Sequence, residues 1–205
     1  MCDPGAVTTT SSPLLRALYG TVSPDLRPLP EPVAELLRSL DCPPRLAAHL
    51  RAVHDVARQV VGWVEQHCPA VEFDREAVLF GAATHDVGKT IHVDELSGTG
   101  SAHEEAGRDL LLARGFAPEL ARFAGTHASW AAAGIGFEDL MVSLADKVWK
   151  NKRVAALEDL VVARLAGASG REVWEEFMAL DELLTRIGDG ADRRLAFQAS
   201  FPVYG

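Results

Sequence analysis

Apolar residues recur at steps of three and four along most of the chain after Pro44, which is the pattern of amphipathic α-helices. The longest stretch runs from Leu46 to Val64 and predicts one long helix that ends near His67. No segment alternates apolar and polar residues as a half-buried strand does. The pattern therefore predicts an all-α fold, with further helices over residues 74–88, 101–115, 118–129, 137–150, 154–166, 171–187 and 191–201.

Capping residues indicate where two of these helices begin. Asp74 precedes the helix REAVLFGAATH as an N-cap, and Ser101 with Glu104 three residues later matches a capping box. Between them, residues 88–100 form the longest predicted loop between helices, rich in Gly, Thr and Asp. Loops of this length beside a polar site often carry function.

The first part of the chain has a different composition. Eight of the eleven prolines fall within residues 1–44, which excludes long helices there. Two short helices fit between the prolines: one with Ser12 as cap and Gly20 as stop, and one from Glu31. We expect a proline-rich N-terminal arm over residues 1–43 and a helical domain over 44–205.

Composition and charge exclude several classes of protein. A net charge of −9 argues against binding to a nucleic-acid polymer, because such binding depends on neutralising phosphates. The cysteines Cys2, Cys42 and Cys68 have no CxxC spacing and indicate neither a disulfide framework nor a zinc finger. The start of the chain lacks a basic and an apolar leader region, and no run reaches 18 apolar residues. We therefore expect a soluble cytoplasmic protein without a membrane segment.

Several histidines and aspartates lie on predicted apolar helix faces, where an ionisable group is costly to bury without a partner. His85 and Asp86 stand side by side in THDVGKT, and Asp146 lies on a largely apolar helix. His54 and His127 occupy similar positions. Each can be a hydrogen-bonded core residue, but together they favour a common cause. A divalent metal ion supplies one, because each ligand trades its desolvation cost for a coordination bond.

The ordered set His54, His85-Asp86 and Asp146, with the sequences HDVGK and LADKVWKNKR, resembles the HD-domain superfamily of metal-dependent phosphohydrolases. The hallmark of that superfamily is H…HD…D on an all-helical scaffold. The resemblance covers about residues 44–165 and implies an HD-like helical bundle. It also implies an enzyme, a metal-dependent hydrolase of phosphoric esters or anhydrides.

The first metal ligand has two candidates on one helix. His49 competes with His54, but RAVHDVA, which begins at Arg51, matches the family's Arg-x-x-His helix and favours His54. The helices over residues 166–205 lie beyond the resemblance, and they either close the site or form a homodimer interface.

Two further histidines, His103 and His127, lie between the doublet and the last aspartate, as in the dinuclear subgroup that this chain resembles. In that subgroup Asp86 would bridge two ions. The alternative for His103 is an exposed residue in the first turn of its helix. One or two divalent ions are expected, and Fe, Mn, Ni, Co and Mg all remain candidates. The implied metal ligands are His54, His85, Asp86, Asp146, His103 and His127.

Four residues are candidate contacts for a substrate. Lys89, three residues after Asp86, is expected to act with that aspartate in catalysis and to bind a substrate phosphate. Its alternative is a solvated lysine at a helix C-terminus. Arg51 and Lys147 are further candidate phosphate contacts, and Trp130 is a candidate ring contact. These cations would bring local positive charge to an acidic protein.

The resemblance leaves two reaction classes open. Hydrolysis of a small phosphorylated metabolite is the leading hypothesis, with a nucleotide as the favoured substrate. The dinuclear subgroup also contains mixed-valent di-iron oxygenases, which are the alternative. A regulatory metal-binding protein is disfavoured because every ligand position is filled, and no Gly-Tyr-Pro signature of the cyclic-dinucleotide phosphodiesterases is present.

Overall fold

The computed structural model describes residues 12–21 and 24–204. Within these ranges the chain forms ten α-helices and no β-strand, so the predicted all-α fold is confirmed. The predicted features of residues 1–11, including Cys2, lie outside the described residues. In chain order the helices are α1 (Pro13–Tyr19), α2 (Glu31–Ser39), α3 (Pro44–His67), α4 (Arg75–Thr84), α5 (Ala102–Ala113), α6 (Pro118–Thr126), α7 (Phe137–Val148), α8 (Ala155–Ser169), α9 (Val173–Gly188) and α10 (Ala191–Ala199).

Helix α3 is the central element of the bundle. It packs against α1, α4, α7 and α10, and it is buried on several faces at once. Leu46, Leu50, Val53 and Val61 are fully buried along it. Each such side chain stabilises the fold by about 1.5–3 kcal/mol relative to exposure. None of the helices in the described ranges is long and apolar enough to cross a membrane.

The proline-rich segment before α3 packs onto the bundle. Leu18 of α1, Leu26 of the following segment and Leu37 of α2 are all buried in the common core. Ser12 caps α1 as expected, since its side chain accepts a hydrogen bond from the backbone N of Leu15 at 3.3 Å. The predicted short helices are therefore present, and this segment contributes to the core.

Arg51 ties this segment to α3. Its guanidinium donates to four backbone carbonyls: those of Ala17 at 3.1 Å, Gly20 at 2.9 Å, Leu26 at 2.6 Å and Arg27 at 3.1 Å. The side chain is almost fully buried, with 3% exposed. Because its donors are used on backbone carbonyls, the geometry favours a structural role for Arg51 over the predicted contact with a substrate phosphate.

The end of α4 differs from the prediction. The helix is capped by Asp74, which accepts from the backbone N of Ala77 at 3.0 Å, but it ends at Thr84, before Gly88. A short 3₁₀ helix, Val87–Thr90, follows at once, and its Gly88 packs so closely on the start of α5 that a Cβ there would collide with the carbonyl of His103. This close approach brings the His85-Asp86 doublet beside α5.

The start of α5 is capped by a residue from the preceding loop. The Ser101 hydroxyl makes no capping hydrogen bond, so the predicted capping box does not form. Instead Glu95, in a second 3₁₀ helix (Val93–Leu96), accepts from the backbone N of Ala102 at 3.1 Å and of His103 at 3.2 Å. The helices from α6 to α10 all form within three residues of their predicted ends.

Candidate metal centre

Six buried histidine and aspartate side chains from separate elements meet at one end of α3. They form two adjacent groups of three, and within each group the ligand atoms lie within 4.8 Å of one another. Each group combines two imidazoles with one carboxylate. The first group is His49, His85 and Asp146, and the second group is Asp86, His103 and His127.

The first group is built from α3, the end of α4 and α7. The Nε2 atoms of His49 and His85 lie 3.2 Å apart. Asp146 Oδ1 lies 3.5 Å from the Nε2 of His85 and 3.9 Å from that of His49. Three potential ligand atoms therefore converge on one point, and no single hydrogen bond can satisfy all three.

Asp86 connects the two groups. Its Oδ1 lies 3.1 Å from His103 Nε2 and 3.5 Å from His127 Nε2, within the second group. Its Oδ2 lies 3.2 Å from His49 Nε2 and 3.7 Å from His85 Nε2, within the first. A carboxylate that presents one oxygen to each group has the geometry of a bridging ligand.

In three of the histidines, the Nδ1 atom, on the side of the ring away from the centre, forms a hydrogen bond that determines the tautomer. His85 and His127 each donate from Nδ1 to the carbonyl three residues earlier, both at 3.0 Å. A carbonyl only accepts, so Nδ1 carries the proton and the neutral ring keeps a lone pair on Nε2. His103 Nδ1 bonds to the carboxylate of Glu95. Such outer partners commonly orient the histidines that bind a metal.

These lone pairs fit a cation at the centre. In His85, His103 and His127 with the proton on Nδ1, an Nε2 lone pair that faces a carboxylate oxygen at 3.1–3.5 Å is repelled unless a positive charge lies between them. The Nε2 of His103 is buried without a well-directed hydrogen bond to any described residue. The donor set of four imidazoles and two carboxylates suits first-row divalent ions. The residues present therefore fit a divalent metal.

The pKa shifts of Asp86, His127 and His49 suit metal binding, which needs neutral imidazoles and ionised carboxylates. Burial raises the pKa of Asp86, but the neighbouring imidazoles of His85, His103 and His49 outweigh it and leave that pKa well below its usual value. Burial lowers the pKa of His127 to about 4, helped by the neighbouring His85. The pKa of His49 is lowered by burial as well. Burial lowers the pKa of His103, but the carboxylates of Asp86 and Glu95 outweigh this effect and raise that pKa.

His54 does not reach either group, and the prediction of His54 as the first ligand is corrected by the position of His49. His54 is buried on another side of α3, where burial and the nearby charges of Arg58 and Arg27 lower its pKa to about 4. The step of five residues from His49 to His54 turns their side chains about 140° apart around the helix axis. The Arg-x-x-His pattern beginning at Arg51 pointed to the wrong histidine.

A cavity of about 390 Å³ opens onto both groups. Lys89 and Lys147, the two lysines among the candidate substrate contacts, line it. Each bonds to a candidate ligand: Lys89 Nζ lies 2.6 Å from Asp86 Oδ2, and Lys147 Nζ lies 2.5 Å from Asp146 Oδ2. The wall also includes Lys150, Glu104, Trp149 and, from α10, Leu195 and Gln198. The sequence interpretation had no site role for the two residues of α10.

Trp130 lies outside this cavity, so the prediction that it contacts a substrate ring there is not supported. It lines a separate surface depression with Ile135 and Leu140. Its ring centroid lies 5.5 Å from the Nζ atom of Lys147, which lines the cavity. Trp149 is buried beside the centre, and its ring packs edge to face on the ring of His49, with 4.9 Å between the two ring centroids.

Comparison with known proteins agrees with this geometry. The family model described as HD domain matches residues 45–165, which is more than half of the chain and contains all six candidate ligands. Searches against curated proteins and against solved structures find no match. The matched family consists generally of metal-dependent hydrolases of the phosphohydrolase type. The chain therefore belongs to the HD domain family.

Proposed function

We propose that this protein is a metal-dependent phosphohydrolase that acts on a small phosphorylated metabolite. The observation that carries the proposal is that three lysines line the same cavity as two groups of candidate metal ligands. Lys89, Lys147 and Lys150 supply the positive charge that an anionic substrate needs in a chain with a net charge of −9. The proposal further assigns the six residues as ligands of one or two divalent ions.

The residues of the two groups would hold those ions with Asp86 as the bridge. A bound divalent ion supplies Lewis-acid polarisation of a phosphoryl oxygen and an activated water for attack on phosphorus. Around it, His85 and His127 are held in place by their backbone hydrogen bonds, and Glu95 orients His103. A centre supported in this way needs little rearrangement when substrate binds.

The lysines act on the substrate side of the centre. Lys89 and Lys147 are bonded to the Oδ2 atoms of Asp86 and Asp146. These carboxylates would release the lysines if they held a divalent ion, which would take up the same oxygens. The flexible ammonium groups can then turn toward the non-bridging oxygens of a phosphate in the cavity.

The cavity wall favours recognition through the phosphate. Trp149 lines the cavity, but it is only 3% exposed and packs on His49. Its ring is therefore not free to stack on the ring of a substrate. Glu104 and Gln198 add polar groups that suit hydroxyls or amides of a metabolite. A nucleotide remains the first substrate class to test, and sugar phosphates are the natural comparison.

The proposal is tested by metal analysis and phosphate release on one preparation. Protein purified anaerobically and reloaded with Mn, Co, Ni, Fe or Mg is assayed against nucleotides, dinucleoside polyphosphates and sugar phosphates. Metal-dependent release of phosphate that is lost in Asp86→Asn supports the proposal. Absence of release from every compound, in protein shown to contain two metal ions, contradicts it.

A di-iron oxygenase is the second candidate because of the composition of the two groups. Each has two histidines and one carboxylate, and this set with open positions is typical of non-haem iron enzymes that use oxygen. Two bound irons with a mixed-valent electron paramagnetic resonance signal, and oxygen uptake that depends on an added polyol or phosphonate, would favour this candidate over hydrolysis.

A further inference from the structure

A second cavity lies beside α3 and α9, away from the two metal-binding groups. Its volume is about 660 Å³, and only Asp55 and Glu65 contribute carboxylates to its wall. Four arginines also line this cavity: Arg27, Arg58, Arg75 and Arg186. In a protein with a net charge of −9, this concentration of guanidinium groups is unexpected for a merely solvated surface.

The two carboxylates of this cavity are already engaged. Glu65 lies 2.6 Å from Nη1 of Arg75 and so neutralises that arginine. Asp55 accepts from the backbone N of Arg27 at 3.3 Å and from the side chain of Gln59 at 3.0 Å. Neither carboxylate forms an ion pair with the guanidinium groups of Arg27 or Arg58.

Arg58 has unused hydrogen-bonding capacity at this wall. Its Nε is buried and has no hydrogen-bond partner among the described residues. One helical turn earlier on α3, His54 is 2% exposed, and both of its ring nitrogens likewise lack a partner in the described part of the chain. His54 does not line the cavity, so the observation that bears on the wall is the unpaired Nε of Arg58. Buried polar groups are nearly always paired, so this Nε indicates a place where a polar ligand binds.

Arg27 is presented from a fixed backbone. Its carbonyl accepts a hydrogen bond from Nε of Arg51 at 3.1 Å, and its amide donates to Asp55 at 3.3 Å. Both backbone groups of this exposed residue are therefore tied to α3, on which Arg58 also lies. A binding group held in this way loses less conformational entropy when a ligand arrives.

We propose that this cavity is a second binding site, which takes a phosphorylated small molecule and holds its phosphate between Arg27 and Arg58. The planar guanidinium forks match the oxygens of a phosphate in pairs, with geometry that a lysine lacks. Trp63, Leu183 and Ile187 provide an apolar part of the wall for the body of the ligand. This site is independent of the reaction at the metal centre.

Equilibrium dialysis of the full chain with inorganic triphosphate tests the proposal. The protein is first stripped of metal with a chelator, and Lys89→Gln/Lys147→Gln is used alongside wild type to remove binding at the metal centre. Both proteins are expected to bind triphosphate at the arginine cavity. Arg27→Gln/Arg58→Gln in the same lysine-substituted background is expected to weaken this binding at least about tenfold, because two charge-assisted contacts are lost.

Arg75→Gln is the matched control, since Arg75 lines the same cavity but is paired with Glu65. It is expected to change the affinity less than about twofold. Circular dichroism checks that each variant folds, and Arg58→Lys, which keeps the charge but loses the fork, provides a milder second test with an expected loss of several-fold. Triphosphate binding that is absent from the lysine-substituted protein, or equally strong in all of the arginine variants, overturns the proposal.

Discussion

The Nε2 atoms of His49 and His85 lie 3.2 Å apart, although the two residues come from different helices and are separated by 36 positions in the chain. His85 is held by a hydrogen bond from Nδ1 to the backbone, so its Nε2 carries a lone pair when the ring is neutral. Two nitrogens at this distance, with Asp146 beside them, are positioned to share one metal ion.

This relationship distinguishes the two histidines of α3. His49→Asn should remove a ligand of the first group and reduce the bound metal measured by mass spectrometry. His54→Asn, on the same helix and equally buried, should leave the metal content unchanged because His54 belongs to neither group. Equal loss in both variants, with both folded, would show that the site is not centred on His49.

Asp86 should be the most sensitive position of the centre. Because its two oxygens face both groups, Asp86→Asn is expected to weaken the binding of both ions and to reduce phosphate release by at least about a hundredfold. The measurement is metal content and turnover on the same preparation. Asp109→Asn on the exposed face of α5 is the control, and full metal content in Asp86→Asn would exclude the bridging role.

Glu95 should act through His103. Its carboxylate bonds to Nδ1 of that ring and accepts the first two amides of α5. Glu95→Ala is expected to lower the affinity for the second ion by about 10- to 100-fold, the usual effect of losing an outer partner. Calorimetric titration of the metal-free protein with Mn should show one weakened site and one unchanged site.

The control for this experiment is Glu105→Ala, because Glu105 lies in α5, the helix that carries His103, but faces solvent. It should titrate as wild type. Equal affinities of Glu95→Ala and wild type for both ions would show that His103 does not need this partner.

The lysines of the cavity should affect substrate binding more than metal binding. Lys89→Met and Lys147→Met are each expected to raise KM for a phosphorylated substrate about tenfold, because each removes one charged contact to phosphate. Lys152→Met provides the comparison, since Lys152 is exposed and lies outside the cavity wall. Steady-state kinetics with the metal content held constant decides the outcome, and an unchanged KM in both variants would remove the lysines from the substrate site.

Arg51 should matter for stability. Its substitution by Met leaves four backbone carbonyls without their donor, so the free energy of unfolding should fall by about 2–4 kcal/mol. Urea unfolding measures this loss. The activity per folded molecule at low temperature should stay close to wild type, whereas a large rise in KM with unchanged stability would restore the original interpretation as a phosphate contact.

Local signals in the chain were sufficient for much of the architecture. The helix periodicity after Pro44, the caps at Ser12 and Asp74, and the glycine or proline at helix ends depend on neighbours within one or two turns. The same is true of the His85-Asp86 doublet at the end of α4. These features could be read without knowing which helices pack together.

The choice between His49 and His54 could not be made in this way. Helix α3 is buried on several faces, so an apolar surrounding does not indicate which face is turned to α4 and α7 and which to α1 and α9. The helix carries His49 toward the metal centre and His54 on another face, near the charges of Arg58 and Arg27. Only the packing of α3 against its neighbours separates the two positions.

By itself, the sequence determined an all-α HD domain with an aspartate-histidine centre, because periodicity, caps and the ordered ligands are written in local spacing. The tertiary structure decided which histidine of α3 joins the centre, that Glu95 orients His103, and that Arg51 binds the N-terminal segment to the bundle. These relationships join residues far apart in the chain or on different faces of one helix. They arise from the way helices pack, which no short stretch of sequence contains.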